Sequence, residues 1–148
     1  MFFSRKNIFP LLLLLIFFGL AVLFAGHPRK MEVMLGGKTF SVEIADNNIS
    51  RTRGLSGHAP LSAYGGMIFI FQKADTYGFW MKDMLFPLDI IWIDSNFKIN
   101  HIESSLSPQT YPKVFYPEGK SLYVLEVSAG QANSLNLEVG DSVKFGKN

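Results

Sequence analysis

Residues 65–71 read Gly-Gly-Met-Ile-Phe-Ile-Phe, and this run decides the fold class. Its five consecutive apolar side chains follow a glycine pair. In an extended strand these side chains would make both faces apolar. This pattern predicts a central strand that is covered on both sides. Such a strand needs neighbouring strands and further layers around it. The run therefore places a β-sheet at the centre of the domain.

Working outward, shorter strand-like runs lie on both sides of this stretch. Residues 31–35 and 38–45 flank Gly36-Gly37, a two-residue connection that suits a tight hairpin. Alternating apolar and polar residues predict one buried face for the second run. Further strands are predicted at 77–82, 88–93, 98–103, 122–127 and 142–145.

Two short helices complete the predicted elements. The first begins at Asp46 or Asn47, which can cap it, and runs through Arg53. The second covers residues 129–135. Many short strands, frequent turns and two short helices are typical of a mostly β fold, a compact and mostly antiparallel barrel or sandwich, and not of a parallel α/β sheet.

Residues 104–120 contain three prolines and show neither helical nor strand periodicity. A structureless stretch of this length is unusual in a small domain, and such loops are often lids or binding loops. The sequence therefore predicts a mobile segment that borders any binding site.

An apolar segment precedes the domain. Residues 8–26 are 19 residues without a charge, with a basic pair close to each end. A helix of this length spans about 28 Å, close to the ~30 Å hydrocarbon core of a bilayer. We expect residues 1–30 to be a signal anchor and residues 31–148 to lie on the extracytoplasmic side of the cell membrane. A cleaved signal peptide is the alternative, which would make the domain secreted or periplasmic.

Charge and residue composition exclude several classes of function. Residues 31–148 carry 10 basic and 12 acidic side chains and no basic run, so nucleic acid is not an expected partner. The chain has no cysteine, which excludes a disulfide scaffold, a cysteine nucleophile and a thiolate metal site. The three histidines, His27, His58 and His101, lack metal-ligand spacing. No metal and no other cofactor is therefore expected.

Several motifs, taken in order, are similar to those of one family. They are RGLSG at 53–57, GMIFIF at 66–71, FWMK at 79–82 with FPLDI at 86–90, YVLE at 123–126 and VGDSVKF at 139–145. Over about residues 38–145 the chain resembles the bacterial and archaeal family known as domain of unknown function 192. The resemblance implies a compact β-rich domain, often behind an export signal or membrane anchor. It implies no settled biochemical activity.

Four charged residues are candidates for a binding site: Arg53, Lys82, Asp89 and Glu126. Asp89 lies in the apolar strand predicted at 88–93, and Glu126 interrupts an apolar run in the same way. A carboxylate on an apolar face must be paired, hydrogen-bonded or protonated. In one interpretation the four residues surround a polar pocket. In the other they form internal ion pairs that determine strand register.

Aromatic side chains raise a related possibility. Phe71, Phe79, Trp80 and Trp92 could form a platform on which a sugar stacks, but the strand pattern predicts that most of them lie in the core.

Two functions from different classes remain open. The preferred interpretation is a non-catalytic, membrane-anchored module that binds a small polar ligand or an envelope protein outside the cell membrane. The alternative is a small hydrolase or transferase in which Asp89 or Glu126 is the general base. Whether the protein is an enzyme, and which ligand it takes, is not decided by the sequence.

Overall fold

The computed structural model describes residues 28–146, and strands dominate this part of the chain. In chain order the strands are β1 (Lys30–Leu35), β2 (Lys38–Ala45), β3 (Gly65–Asp75), β4 (Phe79–Trp80), β5 (Leu88–Ile93), β6 (Ile99–Leu106), β7 (Val114–Phe115), β8 (Ser121–Ser128) and β9 (Lys144–Phe145). Helix α1 (Asn48–Arg53) follows β2, and helix α2 (Gln131–Ser134) follows β8.

Seven strands form one sheet in the order β6-β5-β8-β3-β2-β1-β9. Its neighbours are antiparallel except β2 and β3, which run parallel with Ser41 opposite Gly65. A bridge between Lys98 and Ser142 joins the chain just before β6 to the chain just before β9. Strands β6 and β9 are the two edges of the sheet. Because the bridge brings these edges together, the sheet curves into a half-barrel.

The prediction of a mostly β domain with two short helices is confirmed, whereas the topology needs a correction. The sheet is mixed, since the long connection at 46–64 allows β3 to return parallel to β2. Strands β4 and β7 form a separate two-stranded sheet. The strand predicted at 77–82 is limited to β4, and the one predicted at 142–145 is limited to β9.

Strand β3 is central, as predicted, and lies between β8 and β2. Apolar side chains from alternating positions form two core clusters, one on each face of the sheet. Gly66 marks a close approach between strands, since a Cβ there would lie 2.5 Å from the carbonyl oxygen of Glu126 and 3.1 Å from Val42 Cγ1. The sheet can therefore close around this position only if it is glycine.

Local signals begin and end helix α1 where the sequence predicts. The Asn47 side chain accepts a hydrogen bond from the Ser50 amide at 3.0 Å, and Ser50 Oγ accepts one from the Asn47 amide at 3.2 Å. This reciprocal pair is a capping box. Gly54, with a φ of 52°, ends the helix.

The segment at 104–120 is more regular than predicted. It contains the end of β6, a 3-10 turn at Pro108–Thr110 and strand β7, which pairs with β4. The prediction of a structureless stretch is therefore wrong, because pairing with β4 supplies an order that no local periodicity reveals. Its mobility stays a prediction.

The predicted signal anchor lies almost entirely outside the described residues. Within 28–146, no helix is long and apolar enough to cross a membrane. The division into residues 1–30 and 31–148 therefore stays a prediction.

Candidate functional site

A cavity of about 260 Å³ lies between α1, the second half of β3 and the chain leading into β4. Aromatic rings form much of its wall: Phe69, Phe71, Tyr77, Phe79 and Trp80. The carboxyl group of Glu126 lies at the buried end, which we call the base. The exposed Arg53 and Trp80 lie at the open end, which we call the mouth. This volume is near the lower limit for ligand pockets and suits a small molecule.

Strand alternation directs Glu126 into this cavity. In β8 the residue lies opposite Met67 of β3 and Ile90 of β5. Val124 points to the core cluster on the same face, whereas Leu125 points to the cluster on the other face. An acidic side chain is thereby placed among apolar neighbours at the centre of the sheet.

The Glu126 carboxyl group lacks the partners that buried carboxyl groups usually have. The residue is 5% exposed, and its Oε2 atom has no hydrogen-bond partner within the described part of the chain. Desolvation by burial raises the pKa of Glu126 to about 8. The group is therefore mostly protonated at pH 7.

The two arginines of α1 that line the cavity differ in their contacts. Arg51 Nη1 donates to the Ile70 carbonyl oxygen at 2.8 Å, and Nη2 donates to Asn48 Oδ1 at 2.7 Å. The same guanidinium lies 5.3 Å from the centre of the Phe71 ring. Arg53 is exposed, and its guanidinium has no hydrogen-bond or ion-pair partner among residues 28–146. Arg51 is thus part of the wall, and Arg53 is free to contact a ligand.

Contacts with the core hold the aromatic wall in place. Phe71 and Tyr77 stack with their ring centres 3.5 Å apart. Phe79 makes edge contacts with Phe69 at 4.8 Å and with the buried Trp92 at 5.8 Å. The Trp92 indole N–H also donates to the Tyr77 carbonyl oxygen at 2.9 Å. The wall is consequently preformed.

Lys82 lies beside the mouth and not in the cavity. Its side chain is exposed, and Nζ is 5.8 Å from the centre of the Trp80 ring. Its carbonyl oxygen accepts a hydrogen bond from Ser56 Oγ at 3.0 Å, which connects this segment to the end of α1. Lys82 can add positive potential at the mouth, but it does not reach the base.

Asp89 is buried away from the cavity and is held by backbone amides. Its Oδ1 accepts from the Ser105 and Gly130 amides at 2.7 and 3.0 Å, and Oδ2 accepts from the Ala132 amide at 2.7 Å. The expectation that Lys82 or Arg53 pairs with Asp89 is wrong, since Asp89 forms no ion pair in the part of the chain described. These amides satisfy the carboxylate and connect β5 to the end of β6 and the start of α2.

The structure thus brings two of the four candidate residues, Arg53 and Glu126, to one cavity. It places Lys82 next to that cavity and Asp89 elsewhere. Ion pairs within this set, the other interpretation of the sequence, do not occur among the described residues.

Part of the wall was not predicted from the sequence. The predicted core position is correct for the fully buried Trp92, and Phe71 and Phe79 also pack against the core. Phe71 and Phe79 line the cavity as well, together with the exposed Trp80 and with Tyr77 and Arg51. The only available signal was the density of aromatic residues between 69 and 80, which does not distinguish a wall from a core.

Metal-binding groups do not come together in the described region. No set of three His, Asp or Glu side chains there could hold a metal ion. The Asp89 carboxylate accepts hydrogen bonds from backbone amides, and no other acidic or histidine side chain lines the described cavity beside Glu126.

Comparisons with known proteins agree with the fold and the motifs. The sequence pattern of the DUF192 family, described as an uncharacterized ACR, matches residues 31–145. This chain belongs to the DUF192 family. It is also 31% identical over 109 residues to the UPF0127 protein PH1112 of Pyrococcus horikoshii, covering 70% of this chain and 86% of that protein.

Two crystal structures of bacterial proteins share the fold of this DUF192 domain. One is a candidate transcription regulator (R01717) from Sinorhizobium meliloti 1021, with a TM-score of 0.74 and 27% identity, covering 81% of this chain and 96% of that one. The other is a protein of unknown function from Novosphingobium aromaticivorans, with a TM-score of 0.72 and 27% identity, covering 81% and 94%. These neighbours support the fold and leave the biochemical function open.

Proposed function

We propose that this protein binds a small polar ligand in the cavity above Glu126, in a domain that the N-terminal segment anchors to the outer side of the cell membrane. One observation carries the proposal: the carboxyl group of Glu126 lies at the base of a preformed cavity, and its Oε2 has no hydrogen-bond partner among residues 28–146. An unpaired buried polar group costs about 1–3 kcal/mol, so proteins keep few of them outside functional sites. A ligand that bonds to Glu126 removes this cost.

The other polar groups around the cavity support binding more than catalysis. The Ser56 hydroxyl donates to the Lys82 carbonyl oxygen, and the Tyr77 hydroxyl donates to the Lys73 carbonyl oxygen at 2.6 Å. Both hydroxyls thus donate to backbone carbonyl oxygens and, among the described residues, not to a side-chain base of the kind that activates a nucleophile.

The proposed location rests on residues 1–30 of the sequence. Their uncharged apolar run at 8–26 is long enough to span a bilayer, and β1 begins at Lys30, four residues after the run ends. Besides the membrane itself, the proposed partner is a small polar ligand; an envelope protein that presents a polar group at the mouth is the other possibility.

Equilibrium dialysis of the purified full-length protein against a mixture of small metabolites, read by mass spectrometry, tests the binding function. We expect the wild type to enrich at least one metabolite and Glu126→Gln to lose most of that enrichment. Glu138→Gln, which changes an exposed carboxylate, is the matched control and should behave as wild type. The absence of enrichment, or equal enrichment by Glu126→Gln, would contradict the proposal.

A hydrolase or transferase is the second candidate, because a pKa of about 8 makes Glu126 a stronger base than an ordinary carboxylate. In that case the enriched compound would be converted by the wild type, and Glu126→Gln would bind it without converting it. A pure binding protein would instead leave the compound unchanged and lose affinity in Glu126→Gln.

A further inference from the structure

Building on the proposed binding function, we infer that the ligand is a small zwitterion of the amino-acid type. Its ammonium group contacts Glu126 at the base of the cavity, and its carboxylate contacts Arg53 at the mouth. Three features of the cavity support this assignment: the unpaired carboxyl group, the aromatic wall and the free guanidinium.

At the base of the cavity, a cationic ligand group forms better hydrogen bonds with the Glu126 carboxyl group than a neutral ligand does. An ammonium group donates hydrogen bonds to both oxygens of Glu126, including the unpartnered Oε2. Phe69 and Phe79 line the same cavity and pack edge to face with each other, and aromatic faces attract cations. The base thus offers one carboxyl group among aromatic side chains, and this group becomes negative when it releases its proton to bind a cation.

A sugar fits these walls less well. Its several hydroxyl groups need several partners, whereas Glu126 is the only charged side chain that is fully buried among the residues lining the cavity. Asn48 Oδ1 already accepts from Arg51, and the Ser56 hydroxyl already donates to a carbonyl oxygen. Much of the remaining lining is apolar, with Leu55, Met84 and aromatic rings that offer no strong hydrogen bonds to hydroxyl groups.

At the mouth, the charges favour a carboxylate. The Arg53 guanidinium has no partner in the described part of the chain, and a guanidinium binds a carboxylate through two parallel hydrogen bonds. Arg51 and Lys82 add positive charge nearby. This potential disfavours a simple amine and favours a ligand that carries its own negative group.

Proton release follows from this arrangement. Three titratable or charged residues line the cavity with Glu126: Arg51 and Arg53 from α1, and Tyr77 from the chain before β4. The residues opposite Glu126 on the neighbouring strands are apolar, Met67 of β3 and Ile90 of β5. None of the neighbours is an acid, so Glu126 alone gives up a proton when an ammonium group binds. At pH 7 binding should release close to one proton per ligand.

Isothermal titration calorimetry of the full-length protein with amino acids tests the inference. The panel comprises alanine, leucine, lysine and 4-aminobutanoate, with glucose as a neutral probe. For the tightest amino acid we expect release of about one proton at pH 7, measured from the heats in buffers of different ionisation enthalpy. Its N-acetyl derivative, which lacks the ammonium group, should bind at least about tenfold more weakly, a loss of roughly 1.4 kcal/mol.

Two variants test which residue contacts the ammonium group of the ligand and which contacts its carboxylate. Glu126→Gln should weaken amino-acid binding at least about tenfold and abolish proton release, and Arg53→Gln should weaken binding of the amino acid more than that of its amide. Glu138→Gln should match wild type. Far-ultraviolet circular dichroism and thermal unfolding confirm that each variant is folded before it is scored.

The outcomes separate this inference from the proposed function. Binding of glucose, binding of the N-acetyl derivative as tight as that of the amino acid, or binding without proton release would overturn the zwitterion. Enrichment of another metabolite by dialysis, with no amino acid bound, would overturn it too while the binding function stands. If nothing binds in either experiment, both proposals fail.

Discussion

Glu126 places a titratable group where water does not solvate it, so its protonation is coupled to folding. In the unfolded chain its pKa is near the ordinary value of 4.5, and in the folded domain burial raises the pKa to about 8. Between these two pH values the folded state holds a proton that the unfolded state has released. The free energy of unfolding therefore falls as the pH rises from about 4.5 to about 8, by roughly 1.4 kcal/mol per pH unit.

Replacing Glu126 with Gln should remove this dependence. The amide is neutral at every pH and has nearly the shape of the protonated acid, so we expect Glu126→Gln to be more stable than wild type by roughly 3 kcal/mol at pH 7. At pH 4 the difference should nearly vanish. Urea unfolding of the full-length protein at pH 4, 5.5, 7 and 8.5 measures this difference in the free energy of unfolding, with Glu138→Gln as control. Parallel pH profiles for Glu126→Gln and wild type would show that the carboxylate is solvated or paired.

At the scale of elements, Asp89 joins three parts of the fold: β5, the end of β6 and the start of α2. Its carboxylate accepts backbone amides from the end of β6 and from the chain entering α2. Hydrogen bonds to a charged acceptor are worth about 1.5–3 kcal/mol each, and their loss leaves buried amides unpaired.

We therefore expect Asp89→Ala to lower the free energy of unfolding by about 4 kcal/mol and Asp89→Asn by about 2 kcal/mol, because the Asn amide nitrogen cannot accept. Neither variant should change a ligand's contacts in the cavity. Denaturant unfolding gives the stability, and dialysis at low temperature gives binding by the folded fraction. Unchanged stability combined with lost binding would place Asp89 in the binding site after all.

Strand packing at Gly66 supports both the sheet and the position of Glu126. A Cβ on residue 66 would press on the Glu126 carbonyl oxygen, which is backbone and cannot rotate away. We expect Gly66→Ala to destabilise the domain by about 2–3 kcal/mol. Gly119→Ala is the control, since its Cβ would meet only Asn100 Nδ2 at 3.5 Å, an ordinary contact. Equal thermal stability of the two variants would contradict the close approach.

Helix α1 could be predicted from the sequence because its signals are local: the cap at Asn47 and the glycine at 54 act within one turn. The burial of Glu126 was also predictable, since strand alternation determines it. The parallel pairing of β2 with β3 and the order in 104–120 were not, because they depend on contacts between distant segments. The cavity wall was missed for the same reason: only tertiary packing separates Phe71, which lines it, from Trp92, which does not.

For the whole molecule, residues 1–30 carry two basic pairs, while residues 31–148 carry a slight excess of acids. This asymmetry, with the apolar run at 8–26, predicts a chain that stays in the membrane with its β domain outside. We expect the intact mass of the protein from the membrane fraction to correspond to the complete chain. A mature N-terminus near Val22 or Gly26 would instead show that the segment is a cleaved signal.

The central claim concerns the carboxyl group at the base of the cavity, and a carbon-13 NMR titration of the glutamate side-chain carboxyl carbons tests it most directly. The Glu126 signal is assigned as the one that is missing in Glu126→Gln. We predict that it titrates in the full-length protein with a midpoint near pH 8. A Glu126 midpoint near pH 4.5 would mean that water or a protein group already forms hydrogen bonds with the carboxylate. It would contradict the claim that this buried carboxyl group is unpaired and binds a ligand.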